Sequence, residues 1–234
     1  MPCRRSTLQI DMSSLPPADE ALPLFPLQTV LFPGGWLPLQ IFEVRYLDMI
    51  GQCHREGRPF GVVSLLQGQE VQRAGDSAPE AFQPVGTLAH IVSLERPRPG
   101  LLYIRCEGGQ RFRLTTPQRL KHGLWVAPVA EWLPGDPSVA VPDHLLHVLR
   151  ALQDLVAQGE AEVARQPQAG LELPVRQPYR WHDAGWLANR WCEVLGLPPA
   201  RLQQLMSLES PLLRLELVAD LLERDHGLAP PAGD

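Results

Sequence analysis

The chain has 234 residues, of which 44% are apolar, with a net charge of −5 and a pI of about 5.8. A chain of this length and apolar content can bury one large core or two small ones. The acidic balance argues against a nucleic-acid binder that relies on phosphate neutralisation, because such proteins usually carry a basic excess.

Cysteine spacing and hydropathy bound the chemistry and the location of the protein. The four cysteines are far apart and form no CxxC pair, which indicates neither a zinc site nor a redox motif. Residues 1–20 lack the apolar core of a signal peptide, and no apolar run approaches the ~18 residues of a membrane span. We therefore expect a cytoplasmic protein with reduced thiols that does not contact membranes.

Short apolar runs, separated by prolines and glycines, predict a β-rich part over residues 21–134. The predicted strands cover residues 22–25, 28–32, 37–41, 60–66, 70–73, 85–95, 101–107, 111–114 and 123–133. Proline cannot donate to a sheet ladder, so Pro23, Pro26, Pro33 and Pro38 favour strand starts, edges and bulges. We therefore expect a strongly bent sheet that forms a closed or nearly closed barrel.

Glycine positions and apolar spacing predict the other features of this part. Gly108-Gly109 is predicted to be a hairpin turn between two strands. Apolar residues at helical spacing predict a helix over residues 42–55, ended by Gly57. Residues 74–84 are polar, which predicts a loop.

From Val141 onward the apolar period becomes that of α-helices. The first leucine-rich stripe covers residues 145–156, and Asp143 is placed to cap it. After a predicted linker at residues 167–178, Asp183 is placed to cap a second helix.

Two further helices are predicted near the C-terminus. One covers residues 199–206, and Ser210 followed by Pro211 is a cap and first-turn signature for the other. The expected architecture is therefore an α+β fold. Its predicted parts are a flexible tail at 1–20, a bent, β-barrel-like subdomain at 21–134, a helical bundle at 141–228 and a flexible tail at 229–234.

Several segments carry a recognisable pattern in a fixed order. They are PLFPLQTVLFPG, LPLQIFEVRYLDMI, FGVV, VGTLAHI, RFRL and SPLLRLELVADLL. Together they resemble the N-terminal, substrate-recognition domain of the Lon ATP-dependent proteases, over about residues 21–226. The LFPG…LPLQIFEVRY block is the most specific part of the match. The resemblance implies a PUA-like β domain followed by helices, and a role in engaging polypeptides destined for degradation.

The chain departs from a complete Lon protease in its catalytic motifs. A P-loop, GxxxxGK[ST], requires a lysine after glycine, whereas Lys121 is the single lysine and lies between Leu120 and His122. Nothing around Lys121 resembles the nucleophile segment of the Ser-Lys dyad that the resemblance implies for the protease half. The prediction is a stand-alone, non-catalytic recognition domain with no cofactor.

The predicted ligand is an unfolded or partly folded polypeptide, held weakly between the barrel and the helices. Sheet edges and an apolar groove take an extended chain through backbone hydrogen bonds with little demand on its sequence. The candidate contacts, chosen by position, are Trp36 and Leu37 in the glycine loop, Tyr103 on an outward strand face, and Trp125. If the surface serves self-association, a homodimer buries the tryptophans instead.

Glu43, Arg45 and Tyr46 are the polar members of the most specific block. As binding residues, they would hold a peptide terminus or a charged side chain. As structural residues, Glu43 caps the helix start and Arg45 pairs with a carboxylate of the barrel. We favour the structural interpretation.

Two further residue groups give weaker signals. His144 and His147 have the i, i+3 spacing of a helical metal site, but no HExxH motif accompanies them, which favours a solvated helix edge and no metal. Trp181, Trp186 and Trp191 are predicted to pack in the helical bundle or at its seam with the barrel.

An RNA-binding protein and an unrecognised hydrolase are the alternative functions. PUA-like folds include RNA binders, and five arginines cluster around the two predicted hairpins. They are Arg96, Arg98, Arg105, Arg111 and Arg113. Interleaved Glu95 and Glu107 and the negative net charge count against RNA. A hydrolase remains an alternative because catalytic triads are assembled in space and not in sequence.

Overall fold

The computed structural model describes residues 21–67 and 81–228. The predicted tails and the predicted strand at 70–73 lie outside these ranges. The strands within them are β1 (Leu22–Leu27), β2 (Trp36–Ile41), β3 (Phe60–Gln67), β4 (Ala81–Phe82), β5 (Val85–Arg98), β6 (Leu101–Leu114), β7 (Gln118–Arg119), β8 (Trp125–Ala127) and β9 (Val129–Trp132). The α-helices within them are α1 (Val44–Glu56), α2 (Leu146–Arg165), α3 (Ala184–Val194), α4 (Pro199–Met206) and α5 (Pro211–His226).

Strand β1 lies inside the sheet although it contains two prolines. The strand order is β2-β6-β5-β3-β1-β8-β7, with β4 beside β3 and β9 beside β6. Within β1, Leu24 is paired on both sides, whereas Pro23 lies opposite β8 and Pro26 lies opposite β3. Each proline is therefore paired with a neighbouring strand on one side only. Its lack of an N–H costs no sheet hydrogen bond on the other side. For this reason the strand continues through Pro26, where the sequence predicted a break.

The sheet bends through β8 and β9 and does not close. β8 pairs with β1, β9 pairs with β6, and the single residue Pro128 joins the two strands, which the sequence predicted as one. At Pro128, which has no N–H to donate, the chain therefore leaves the ladder with β1 and joins the ladder with β6. The α+β fold with a bent, barrel-like sheet is confirmed, but no ladder between the described strands closes it into a barrel.

Gly108 and Gly109 lie within the continuous strand β6, so the predicted hairpin turn is wrong. A side chain at Gly108 would overlap the backbone carbonyl of Phe32, and one at Gly109 would overlap the ring of His90. The two glycines allow close approach of neighbouring segments and do not reverse the chain.

Residues 28–32, predicted as a strand, form no ladder. Val30 and Phe32 nevertheless pack into the core under the helices, and Leu31 packs into the core under α1. The segment is apolar because its side chains enter two cores. The spacing of apolar residues alone does not distinguish such a segment from a strand.

Two helix starts are capped as the sequence predicted. Asp183 accepts hydrogen bonds from two backbone N–H groups in the first turn of α3, at 3.0 and 3.1 Å. Ser210 accepts one from the first turn of α5 at 3.2 Å. Asp143, in contrast, lies in a 3-10 turn ahead of α2 and makes no capping bond to that helix. The predicted cap at Asp143 is therefore wrong.

Side chains from the sheet and from the helices pack in one apolar cluster. Its helical members come from α2, α3, α4 and α5, and its other members include Val30, Phe32, Val85 and Leu133. A second cluster lies between α1 and the inner face of β2, β3 and β6. The shared cluster holds the helices against one side of the sheet.

A buried ionic junction connects the same two parts. Asp136, in the segment after β9, binds Arg214 of α5 at 2.5 Å and Arg111 of β6 at 3.1 Å. The arginine side chains are 1% and 3% exposed. Burial lowers the pKa of the Arg111 guanidinium below its ordinary value, and Asp136 opposes that shift.

Backbone carbonyls at and just after the end of α4 supply further acceptors, beside Pro134 O for Arg111 and the Asn189 side chain for Arg214. Arg111 donates to Met206 O at 2.7 Å, and Arg214 donates to Leu205 O at 3.0 Å. Both arginines also donate to Leu208 O. The negative end of the α4 dipole thus adds to the single carboxylate, which makes two buried guanidinium groups tolerable.

We expect Asp136→Asn to lower the free energy of unfolding by about 3–5 kcal/mol, because two buried arginines lose their shared counter-charge. Urea titration followed by circular dichroism measures the change. Glu131→Gln is the control, since Glu131 meets Arg113 on the surface at 3.2 Å, and its loss is expected to cost less than about 1 kcal/mol. Equal effects of the two substitutions would contradict a central role for Asp136.

Gly108→Ala is expected to lower the free energy of unfolding by about 2–3 kcal/mol, because the new methyl group meets the Phe32 carbonyl. Gly135→Ala is the matched control: a Cβ there has no neighbour within 4 Å, so we expect a change within about 0.5 kcal/mol. Thermal denaturation of both variants tests the comparison.

Candidate functional site

The solvent-facing side of strands β2, β6 and β5 forms one surface, called here the outer face. Residues directly opposite each other in an antiparallel ladder point to the same side of the sheet. The outer face therefore consists of Trp36, Pro38 and Gln40 of β2, Tyr103, Arg105 and Glu107 of β6, and His90, Ser93 and Glu95 of β5. The alternating residues Leu37 and Ile41 point into the core.

Tyr103 stands beside a groove in the outer face. The side chain is 42% exposed, and the groove has a volume of about 420 Å³. Its walls come from β2, β5, β6 and Glu172. An aromatic ring next to a groove offers a large contact area with one polar end.

Strand β2 is an edge of the sheet. Among the strands of the described residues it pairs with β6 alone, so its second edge is free of a ladder. Pro38 lies in this strand, in agreement with the expectation that the prolines favour edges. An edge of this kind is able to accept an added strand.

The segment at 167–178, predicted as a linker, is attached to the outer face. The Arg176 guanidinium lies 4.6 Å from the centre of the Trp36 ring, a cation–π contact. Glu172 accepts hydrogen bonds from Arg176 at 2.5 Å and from Arg105 at 2.7 Å. The bond from Arg105 is the main cause that holds the pKa of Glu172 below its ordinary value. The segment therefore partly covers Trp36.

The loop that leads into β2 is held from both sides. Gly34 N–H donates to Gly108 O at 2.7 Å, and Gly108 N–H donates to Gly35 O at 2.8 Å. From the helical side, Arg190 of α3 donates to Gly34 O at 2.7 Å and to Pro33 O at 2.9 Å. These bonds fix the position from which Trp36 and the edge strand begin.

Glu193 completes this clamp from one turn further along α3. It accepts a bond from Arg190 at 2.6 Å, and its side chain is 14% exposed. A side chain at Gly35 would overlap the Glu193 carboxylate, so the loop passes close to it. Burial raises the pKa of Glu193 to about 7, against the opposing effect of Arg190.

The four residues predicted to contact a peptide are not all together. Trp36 and Tyr103 share the outer face. Leu37 is 9% exposed and belongs to the core under α1. Trp125 lies on β8, where its ring packs edge-on against Phe82 at 5.1 Å. Two of the four therefore define one surface, one is internal, and one lies on another part of the sheet.

The polar cluster of Glu43, Arg45 and Tyr46 is largely internal. Arg45 binds Glu43 at 2.9 Å and donates to Gly123 O at 2.9 Å, so within the described residues its carboxylate partner is Glu43 and not a barrel residue. Glu43 lies at the N-cap position of α1 but makes no capping bond. The Tyr46 ring stacks on Phe25 with 4.0 Å between centroids.

The histidine and tryptophan groups also pack within the helical part. His147 is largely buried, with Glu223 at 3.9 Å, whereas His144 is exposed. Trp181 and Trp186 meet edge-on at 5.2 Å, and Trp191 is buried and donates to a backbone carbonyl of α2. No group of three or more His, Cys, Asp or Glu side chains in the described parts of the chain is arranged to hold a metal ion.

Buried thiols supply no activated nucleophile. Burial raises the pKa of Cys53 to about 11 and those of Cys106 and Cys192 to about 12. These three thiols are therefore protonated at neutral pH. Within residues 21–67 and 81–228, no helix combines the length and apolar character needed to cross a membrane.

Sequence reasoning missed the residues that shape the outer face from a distance. Arg190, Glu193 and Arg176 lie at least 140 residues after Trp36 in the chain. The available signal was weak: Arg190 and Glu193 are charged residues in a helix that is otherwise mostly buried, and buried charges need partners. The sequence did not show that the partner is a loop before β2.

Comparison with known proteins gives consistent results. Residues 21–224 match the family model described as the ATP-dependent protease La (LON) substrate-binding domain. The Lon protease of Paraburkholderia phytofirmans is 31% identical over 215 residues, which is 89% of this chain and 24% of that protein. Lon protease 4 of Sorangium cellulosum is 30% identical over 210 residues, with 88% and 24% coverage. The chain thus spans about a quarter of the length of these relatives.

Solved structures show the same fold. The Lon N-terminal domain protein from Xanthomonas campestris has a TM-score of 0.66 and 26% identity, covering 86% of this chain and 98% of that one. The N-terminal domain of the Mycobacterium avium complex Lon protease has a TM-score of 0.54 and 16% identity, covering 86% and 97%. At that identity the second likeness concerns the fold alone.

The raised pKa of Glu193 predicts that the free energy of unfolding of the protein depends on pH. The folded state binds a proton more tightly than the unfolded state, whose carboxyl has a pKa near 4.5, so stability falls as pH rises from about 4.5 to 7. When the pH is raised from about 5 to 7.5, we expect the free energy of unfolding of the wild type to fall by about 2 kcal/mol more than that of Glu193→Gln. Urea titrations at both pH values measure this, and parallel curves for the two proteins would contradict it.

Proposed function

Because the chain belongs to the Lon substrate-binding domain family, we propose that it recognises polypeptides by holding an extended segment at strand β2 and the outer face. The observation that carries the proposal is an edge strand whose outward side chains continue into an exposed, grooved sheet surface. The ligand class is an unfolded or partly folded polypeptide.

Backbone hydrogen bonds at the edge explain binding with little sequence preference. An extended chain placed beside β2 pairs with main-chain groups, which every polypeptide carries. Trp36 and Tyr103 then add contact area for the side chains of that segment. Aromatic side chains give such area at a low cost in conformational entropy.

A rigid support makes the edge ready for binding. The bonds from Gly108 and Arg190 hold the loop before β2, so the strand is ordered before a ligand arrives. A preformed surface reduces the entropy lost on association. The helical part therefore contributes by positioning, through α3, and the proposed role involves no catalytic step.

The same surface is able to serve two other purposes, which the binding experiment distinguishes. A homodimer would bury β2 and Trp36 against a second copy, and the affinity for an added polypeptide would then fall as protein concentration rises. RNA binding would be strongly salt-dependent. The protein itself is proposed to act in the cytoplasm, in connection with proteolysis.

We expect the wild-type protein to bind a fluorescently labelled, permanently unfolded protein with micromolar affinity. Tyr103→Ala should weaken that affinity by about fivefold to tenfold, because it removes an exposed aromatic contact. Leu155→Ala is the control, since Leu155 is equally exposed, at 43%, but lies on α2. Fluorescence anisotropy measures the affinities.

Trp125→Ala is measured in the same titration, because it tests the second candidate surface. A larger loss from Trp125→Ala than from Tyr103→Ala would place the binding surface on β8 and overturn the assignment to the outer face. Absence of binding by the wild-type protein would overturn the proposed function as a whole.

A further inference from the structure

A second, larger groove lies between α1 and the turn that joins β5 to β6. Its volume is about 800 Å³, within the range of known ligand sites. One wall is formed by α1 and includes Asp48, Gly51 and Arg55, and the other is formed by residues 96–102. The absence of a side chain at Gly51 leaves the α1 wall open, and the Arg55 guanidinium lies against this position.

The charge of this groove is not balanced by the protein. Arg55, Arg96 and Arg98 line it and are exposed, and none of the three has a carboxylate partner within 4.0 Å among the described residues. Among the described residues of the lining, Asp48 is the one acidic residue. Three arginines that line one groove, with no ion pair to a described carboxylate, favour an anionic occupant.

The arginines of β6, in contrast, are paired with carboxylates. Arg105 is paired with Glu172 at 2.7 Å, and Arg113 is paired with Glu131 at 3.2 Å. Arg111 is buried against Asp136. Of the five arginines around the predicted hairpins, the structure therefore leaves two, both in this groove, without such a partner.

We propose that this groove binds acidic side chains of the polypeptide held at β2, so that the protein prefers segments with glutamate or aspartate beside the extended stretch. The inference rests on the proposed function and specifies its ligand. Bidentate contacts between guanidinium and carboxylate groups supply the preference.

The position of the groove fits a chain that lies along β2. The last residue of β2, Ile41, is paired with Leu102, which lines the groove, and the preceding Gln40 is paired with Tyr103 of the outer face. A segment extended along β2 advances about 3.3 Å per residue. A segment that continues in the direction of β2 beyond Gln40 therefore runs toward the end of the sheet where the groove lies.

The lining of the groove favours a peptide over a nucleic acid. The described part of the chain places no phenylalanine, tyrosine or tryptophan in this lining, and such rings are the platforms on which single-stranded bases stack. Asp48 and the net charge of −5 oppose every anion, but a nucleic acid carries a charge at each phosphate and is therefore opposed more strongly than a peptide with a few carboxylates.

The test compares two labelled peptides of equal length and equal apolar core, one flanked by glutamates and the other by glutamines. Wild type should bind the acidic peptide about tenfold more tightly at low salt, and the difference should shrink as salt is added. The variant that combines Arg55→Gln, Arg96→Gln and Arg98→Gln should lose this preference while binding the glutamine peptide as before.

A charge-matched control combines Arg150→Gln, Arg180→Gln and Arg224→Gln, three exposed arginines outside the groove. It should keep the preference, which separates the groove from the effect of net charge. Retention of the preference by the groove variant, or its equal loss in the control, would overturn the inference. Equal binding of both peptides by wild type would overturn it and leave the proposed function intact, whereas binding of neither would overturn both.

A labelled single-stranded RNA serves as a further arm of the experiment. Weaker binding of the RNA than of the acidic peptide supports the inference. Tighter RNA binding that is lost in the groove variant would assign the arginines to nucleic acid and overturn it.

Discussion

The shared carboxylate of Asp136 is the contact on which the arrangement of sheet and helices depends. It neutralises one arginine from β6 and one from α5, both almost fully buried, with help from the carbonyl groups that end α4. A buried charge without a partner is strongly destabilising, so these three elements meet in one geometry. Apolar packing holds the helices on the sheet, and the ionic junction selects their orientation.

That orientation brings α3 to the loop before β2. Arg190 is able to bind the carbonyl groups of Pro33 and Gly34 because the helix lies against the loop, and Glu193 fills the space that Gly35 leaves. The bonds to Gly108 hold the loop from the sheet side. The edge strand proposed to bind polypeptides is thus prepared by contacts from parts of the chain far from it in sequence.

The arginines fall into two groups: those paired with carboxylates within the fold, and those that line the groove beside α1. Arg111 and Arg214 are buried in the ionic junction with Asp136. The 167–178 segment is attached to the outer face by the bond from Arg105 to Glu172 and by the contact of Arg176 with the Trp36 ring. The three arginines of the groove beside α1 form no ion pair with any carboxylate in residues 21–67 and 81–228. Two surfaces of different chemistry therefore lie near each other in the structure: the outer face with its edge strand β2, and a basic groove between α1 and the β5–β6 turn, near the end of β2.

The sequence by itself determined the α+β class, the family resemblance, the helix starts at Asp183 and Ser210, and the bounds of α4, because periodicity and capping are local properties. The sequence predicted a turn at Gly108-Gly109, because a glycine that permits close approach of two segments has the same sequence signal as a turn glycine. It predicted a strand at residues 28–32, because a segment that packs into two cores is as apolar as a strand. It named Trp36, Leu37 and Tyr103 as candidate contacts; Trp36 and Tyr103 share the outer face, whereas the inward direction of Leu37 follows from its place in the β2–β6 pairing. Only the tertiary structure decided which charges are paired, because the partners of Arg111, Arg190 and Arg105 lie far away in the chain and meet them through folding alone.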